Sequence, residues 1–209
     1  MNLGLKQSIP IEEFDYVMLK SVLKNYKNPR VKINDLIKKQ EIIRVKKGLY
    51  IFGANLSQNL YIKETLANLI YGPSYISMEY ALSYYGIIPE RTETITNVTN
   101  KRNKMFKTPI GRFTYKYINP KLYSFGITQI EIDEFHRVLI ATKEKAVADL
   151  LYFSKIMNDV KKLELFIFDD MRFDEIQIKK LNKTKLKQLN CLYSGNVALF
   201  YLLWKRIHE

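Results

Sequence analysis

FDYVMLKSVLKNYKNPRVKINDLIKKQEIIRVKKGLYIFG, residues 14–53, decides how the N-terminal quarter of this chain is read. At its centre Asn28-Pro29 restarts the backbone, and Pro suits the first position of a helix because its missing N–H has no partner there anyway. The helix predicted over 29–39 buries Ile33, Leu36 and Ile37 on one side. Its other side carries Lys32, Asp35, Lys38 and Lys39, with Arg30 near the N-terminal end. Downstream, the β-prone runs 42–45 and 49–52 flank a Lys46-Lys47-Gly48 turn and predict a hairpin. Upstream, apolar residues recur at Phe14, Val17, Met18, Val22 and Tyr26, a spacing that predicts one helix over 12–26. Helix, helix and hairpin make a small winged helix-turn-helix domain of residues 1–55. The polar stretch 53–59 reads as a linker.

Charge is concentrated where this unit would meet a polyanion. Residues 27–47 hold eight Lys/Arg against two acids, and residues 94–130 hold seven Lys/Arg and no acid. These two blocks carry the whole formal excess of +13, so the rest of the chain is balanced. In the first block Arg30 and Lys32 occupy the opening turn of a recognition helix, where side chains reach base edges in the major groove. Arg30 is the best placed for base contact, because a guanidinium pairs bidentately with guanine. Lys38 and Lys39 suit flanking phosphates, and Arg44, Lys46 and Lys47 ride on the wing. Asp35 opposes phosphate unless it pairs with Lys38 or Lys39 at helical spacing.

The remainder, residues 56–209, reads as a larger mixed α/β domain with a helical C-terminus, so the whole chain is of α+β class. Helices are predicted over 60–71, stopped by Gly72-Pro73, and over 77–85, stopped by Gly86. Runs 94–99, 112–118 and 137–141 are rich in β-formers and predict strands. A basic loop, 101–111, lies between the first two. Thr142 caps a helix to about residue 154, and further helices follow over 160–166, 174–181, 184–192 and 195–206. Ser77 and the tyrosines around it read as core, since Met78, Ala81, Leu82 and Tyr85 recur at helical spacing. The loop 101–107 reads either as a solvated excursion or as a contact for a toxin or nucleic acid.

Composition limits the alternatives. With 47% hydrophobic and 13% aromatic residues the chain can bury a core. No apolar run approaches the roughly 20 residues of a membrane span, and the first residues lack a signal-peptide layout, which predicts a cytoplasmic protein with no membrane partner. Cys191 is the single cysteine, so no internal disulfide or Cys-rich zinc site forms. His136 and His208 have no metal-ligand spacing to anything. Asp169, Asp170, Asp174 and Glu175 form the one acidic cluster; it reads as a loop and helix start, with a Mg²⁺ site as the alternative. Neither GxxxxGK nor GxGxxG occurs. No cofactor, metal or catalytic residue is expected.

The quoted stretch, together with GPSYISMEYALSYYGIIPERTETITNVTNKR (72–102), TPIGRFTYKYI (108–118) and LIATKEKAVADLLYF (139–153), resembles the AbiEi-like antitoxins of bacterial abortive-infection toxin–antitoxin systems. The resemblance covers about residues 14–153 and is most specific from Tyr75 through Gly86 to Pro89-Glu90. It implies a winged helix that binds repeats in its own promoter and represses the operon. It further implies a second domain that counters a cognate nucleotidyltransferase toxin, directly or functionally. Arg30 and Lys32 then fall in the DNA-reading helix, and Arg44, Lys46 and Lys47 in the wing. Lys101, Arg102 and Lys104 match a basic stretch of the second domain, where a partner contact is expected. The expected partners are double-stranded promoter DNA, on which the protein could dimerise, and the toxin. The alternatives are a stand-alone transcriptional regulator with a ligand-sensing or oligomerising second domain, and a metal-dependent nuclease using Asp169 and Asp170.

Overall fold

The computed structural model describes residues 3–208 and is of mixed α+β class. After a first helix, Leu3–Ser8 (α1), the strand Glu13–Asp15 (β1) corrects the helix predicted over 12–26. Phe14 explains the difference. On an extended backbone its ring packs between Tyr50 and Phe52, with centroids 6.2 and 4.7 Å away. Asp15 then caps the helix Tyr16–Val22 (α2) by accepting a hydrogen bond from the Met18 N–H at 2.8 Å. The inward face of that helix also differs from the prediction. Val17 is 71% exposed, whereas Leu19 and Leu23 are buried.

The next helix, Pro29–Lys38 (α3), follows the prediction, with Asn28 as its N-cap and Ile33 and Leu36 buried. Ile42–Lys46 (β2) and Leu49–Phe52 (β3) form the hairpin, turned at Gly48 with φ +86. Strand β1 adds to its free edge, giving the order β1-β3-β2. One face of this sheet, with Phe14, Ile42, Tyr50 and Phe52, closes a small core over Leu19, Ile33 and Leu36. The other face, with Val45, Leu49 and Ile51, belongs to the large core of the remaining chain. The hairpin is thus a wall shared by two cores. The stretch predicted as a linker is tied down: Glu12 accepts from Lys6 Nζ at 2.8 Å, Ser57 Oγ at 3.2 Å and the Asn59 N–H at 2.9 Å.

Beyond it, Lys63–Ile70 (α4) leads to a six-stranded mixed sheet of Ser74–Ile76 (β4), Ile95–Thr99 (β5), Lys104–Thr108 (β6), Gly111–Tyr117 (β7), Ile127–Glu131 (β8) and Arg137–Ala141 (β9). Its order is β6-β7-β5-β4-β9-β8, with β5/β7 and β4/β9 parallel and the other neighbours antiparallel. Three strands were not predicted. β4 is three fully buried residues, too short to show a period, and β8 is a partly exposed edge. β6 lies inside the predicted basic loop, where Phe106 packs towards the core while Lys104, Met105 and Lys107 are exposed.

Met78–Tyr84 (α5) and Lys143–Phe153 (α7) cover the sheet, with the short Pro120–Tyr123 (α6) at its margin. The C-terminal layer is Val160–Leu165 (α8), a π-helical turn Phe166–Asp170, Glu175–Lys179 (α9), Lys183–Leu192 (α10) and Asn196–His208 (α11). Asp174 caps α9 through the Gln177 N–H at 2.8 Å, and Asn182 caps α10. Ser77 and its tyrosine neighbour are enclosed. Asp149 accepts from Tyr75 at 2.9 Å, Ser77 at 2.7 Å and Tyr193 at 2.6 Å, and pairs with Lys145 at 3.0 Å.

Candidate nucleic-acid interface

A helix whose apolar residues recur at 33 and 36 buries one side and leaves residues 30, 34 and 38 on a single outward line, because positions four apart lie one above the other. Arg30, Asn34 and Lys38 are all exposed on α3, with Val31 beside them. Opposite the start of this line stands the turn of the hairpin. Arg44 and Lys47 are exposed there, and Gly48 holds the left-handed backbone that lets the turn close. Between helix and hairpin lies a concavity of about 650 Å³, rimmed by Arg30, Asn34, Arg44 and Lys47 and floored by Ile33 and Tyr50. No carboxylate lines it, and none of its three cations forms an ion pair among the described residues.

The other predicted basic residues sort by their partners. Asp35 lies 3.2 Å from Lys39 and 3.8 Å from Lys32, so the acid on this helix is neutralised by its own neighbours. Lys32 also stands over the Tyr26 ring, 5.4 Å from its centroid, and its side chain is only 20% exposed. It therefore flanks the outward line and is not on it. Lys46 requires a correction. It is turned away from the concavity and donates a hydrogen bond to the Ile70 carbonyl at the end of α4. Burial lowers its pKa, as do the charges of Lys104 and Lys101. A shift of register between Arg44 and Lys46 in the hairpin separates these two side chains.

Lys46 thereby meets the second basic block. Lys101 donates to the Gly72 carbonyl at 2.6 Å, and the ammonium groups of Lys101 and Lys104 stand 5.7 and 5.1 Å from the Tyr71 ring centroid. Arg102 is exposed on the same loop, beside an open hollow of about 780 Å³ that Tyr71 and Tyr117 also line. Two blocks that are more than fifty residues apart in sequence converge on residues 70–72.

Asn34 escaped the sequence reading, although its place four residues after Arg30 was a usable signal. An amide beside a guanidinium at a helix start is a pair of groups that can read base edges. The acidic residues Asp169 and Asp170 lie exposed on the π-helical turn, and Asp174 is engaged as a cap. Among the described residues no group of three or more His, Cys, Asp or Glu is placed to hold a metal ion, and no helix is long and apolar enough to cross a membrane. No protein-family model matches the chain, and no curated protein matches it.

Proposed function

We propose that this protein is a DNA-binding repressor whose N-terminal unit acts as a winged helix-turn-helix, with α3 in the major groove and the β2–β3 turn on the adjacent backbone. One observation carries the reading: Arg30, Asn34, Arg44 and Lys47 surround a concavity that contains no carboxylate, at the start of a ten-residue helix. A helix start favours phosphate through its free N–H groups and dipole, and unpaired cations add counterion release to the binding free energy. In this reading Arg30 and Asn34 select bases, Arg44, Lys47 and Lys38 hold phosphates, and Lys32 and Lys39 add positive potential at the flank.

For the second unit we propose the role of the AbiEi-like antitoxins, opposing a nucleotidyltransferase toxin; the support is the sequence resemblance, and Lys101, Arg102 and Lys104 are the surface offered to the partner. The chain itself carries no catalytic step. A mobility-shift assay on the DNA upstream of its gene tests the regulatory half. Arg30→Ala with Asn34→Ala is expected to abolish the specific shift and leave folding intact, because both residues are exposed. Arg44→Ala with Lys47→Ala is expected to weaken binding on all sequences and to reduce the log–log salt slope by about 2, at about 0.9 per phosphate contact. Lys46→Ala leaves the slope unchanged. Retention of the specific shift by the first double variant would exclude α3 as the reading helix. Co-expression with the neighbouring gene product, scored by growth rescue, tests the antitoxin half.

A further inference from the structure

A second concavity, on the α/β unit and sharing no residue with the α3 face, is built from four separate segments. The start of α4 contributes Lys63, α5 contributes Tyr80, the approach to β5 contributes Thr92, Glu93 and Thr94, and the β6–β7 hairpin contributes Lys107 and Arg112. Its volume is about 620 Å³, within the roughly 300–1,000 Å³ of small-ligand sites.

Three features of this hollow are costly unless something occupies it. Lys107 and Arg112 are directly opposite partners in the antiparallel pair, so their side chains leave the same face of the hairpin. Like charges in that position destabilise a sheet. Neither they nor Lys63 form an ion pair among the described residues, and residues 94–130 contain no acid to neutralise them. Thr92 Oγ1 is buried at the wall and has no hydrogen-bond partner among the described residues. A buried hydroxyl left unmatched costs free energy that a ligand oxygen would recover.

The walls are already fixed. Tyr80 donates its hydroxyl to Glu64 and receives Thr96 Oγ1 on its backbone N–H at 3.1 Å. Thr108 closes the hairpin by donating to the Gly111 carbonyl at 2.8 Å. Gly111 has φ +140, and no atom lies within 4 Å of where a Cβ would stand.

We propose that this hollow binds a phosphorylated small molecule of about mononucleotide size, with its phosphomonoester held by Lys107, Arg112 and Thr92. The charge count selects phosphate over carboxylate. Three cations and Glu93 in the lining leave an excess of two positive charges, which a phosphomonoester of about −1.5 to −2 matches. The Arg112 fork presents paired donors to two phosphate oxygens, Lys107 acts as a point charge, and the Thr92 hydroxyl donates to the same group. The Tyr80 ring forms a wall for the remainder of the ligand. Such a site would make the second unit responsive to a metabolite.

The test is titration calorimetry on the full chain with AMP, ribose 5-phosphate and adenosine as probes. Both phosphomonoesters are expected to bind saturably, and adenosine is not. Lys107→Ala with Arg112→Ala is expected to weaken both by about tenfold or more, the equivalent of losing one charge-assisted contact. The same variant should unfold at an equal or higher urea concentration, since it relieves a repulsion. Thr92→Val is expected to weaken binding several-fold without removing it. Absence of saturation by either phosphomonoester, equal binding by the double variant, or adenosine binding as well as AMP would each overturn the proposal. If the double variant instead loses retention of upstream DNA while neither small probe binds, the cations serve the duplex and the proposal also fails. A failed mobility shift by the α3 variants leaves these titrations unaffected, so the two readings fall separately.

Discussion

Lys145 and Asp149 stand one helical turn apart on α7, with no exposed side-chain surface and 3.0 Å between Nζ and Oδ1. Burial lowers the Lys145 pKa, and the Asp149 charge opposes that shift. The pair differs in how each member would survive alone. Asp149 keeps three hydroxyl donors, from Tyr75, Ser77 and Tyr193. Lys145 keeps only the Leu122 carbonyl and the Tyr193 hydroxyl. Removing one partner of a buried pair costs about 3–5 kcal/mol, because the other is left as an uncompensated charge. Asp149→Ala is therefore expected to lower the urea midpoint by that scale of stability, and Lys145→Met by less. Equal losses, or the reverse order, would mean that the hydroxyls do not hold the carboxylate.

At the scale of elements, the junction between α3 and the hairpin is controlled by close backbone approach. Gly53 donates to the Glu41 carbonyl at 2.9 Å, and a Cβ added at Gly53 would lie 1.9 Å from the backbone oxygen of Gln40. No side-chain rotation relieves a clash with backbone. Gly53→Ala is expected to cost about 1–3 kcal/mol, the range of overpacked sites. Gly4→Ala is the control: Gly4 is in α1 with open space around it, so the change is neutral or stabilising. Thermal unfolding of the two variants decides. Elements whose signals are local were legible in the sequence: α3 has Asn28, Pro29 and a clean apolar stripe, and the hairpin has Gly48. β1, β4 and β8 were not legible, since three residues or a half-exposed edge show no period, and their pairing partners lie far along the chain.

Across the whole molecule, His136 joins the two units. It lies at the β8–β9 turn and reaches Glu13 of β1 at 2.9 Å through Nε2, while Nδ1 contacts Asp133 at 2.7 Å. The side chain is 11% exposed. Burial works to lower its pKa, but the hydrogen bonds and charges of Asp133 and Glu13 outweigh this and raise it above 6.5. A raised histidine pKa stabilises the folded state fully below the unfolded value and loses that contribution as pH rises through the folded value. His136→Gln is expected to lower the urea midpoint clearly at about pH 6 and much less at about pH 9. A loss independent of pH would assign His136 a packing role alone. Because Glu13 also accepts from the Ile62 N–H, the same contact bears on how firmly the connecting segment is held.

Short-range chemistry in the sequence was enough to determine the helix over 29–38, the hairpin after it, the α+β class and the location of both basic blocks. Caps, a proline, a left-handed glycine and periodic apolar residues act within a few positions, so no knowledge of distant contacts is required. Only the tertiary structure decided that Lys47 faces the concavity while Lys46 faces Ile70, that the hairpin is buried on both faces, and that residues 63, 80, 92, 107 and 112 enclose one hollow. Those outcomes depend on which side of a strand meets which core. A single irregularity in register moves a side chain to another environment, and nothing in the local sequence encodes what lies there.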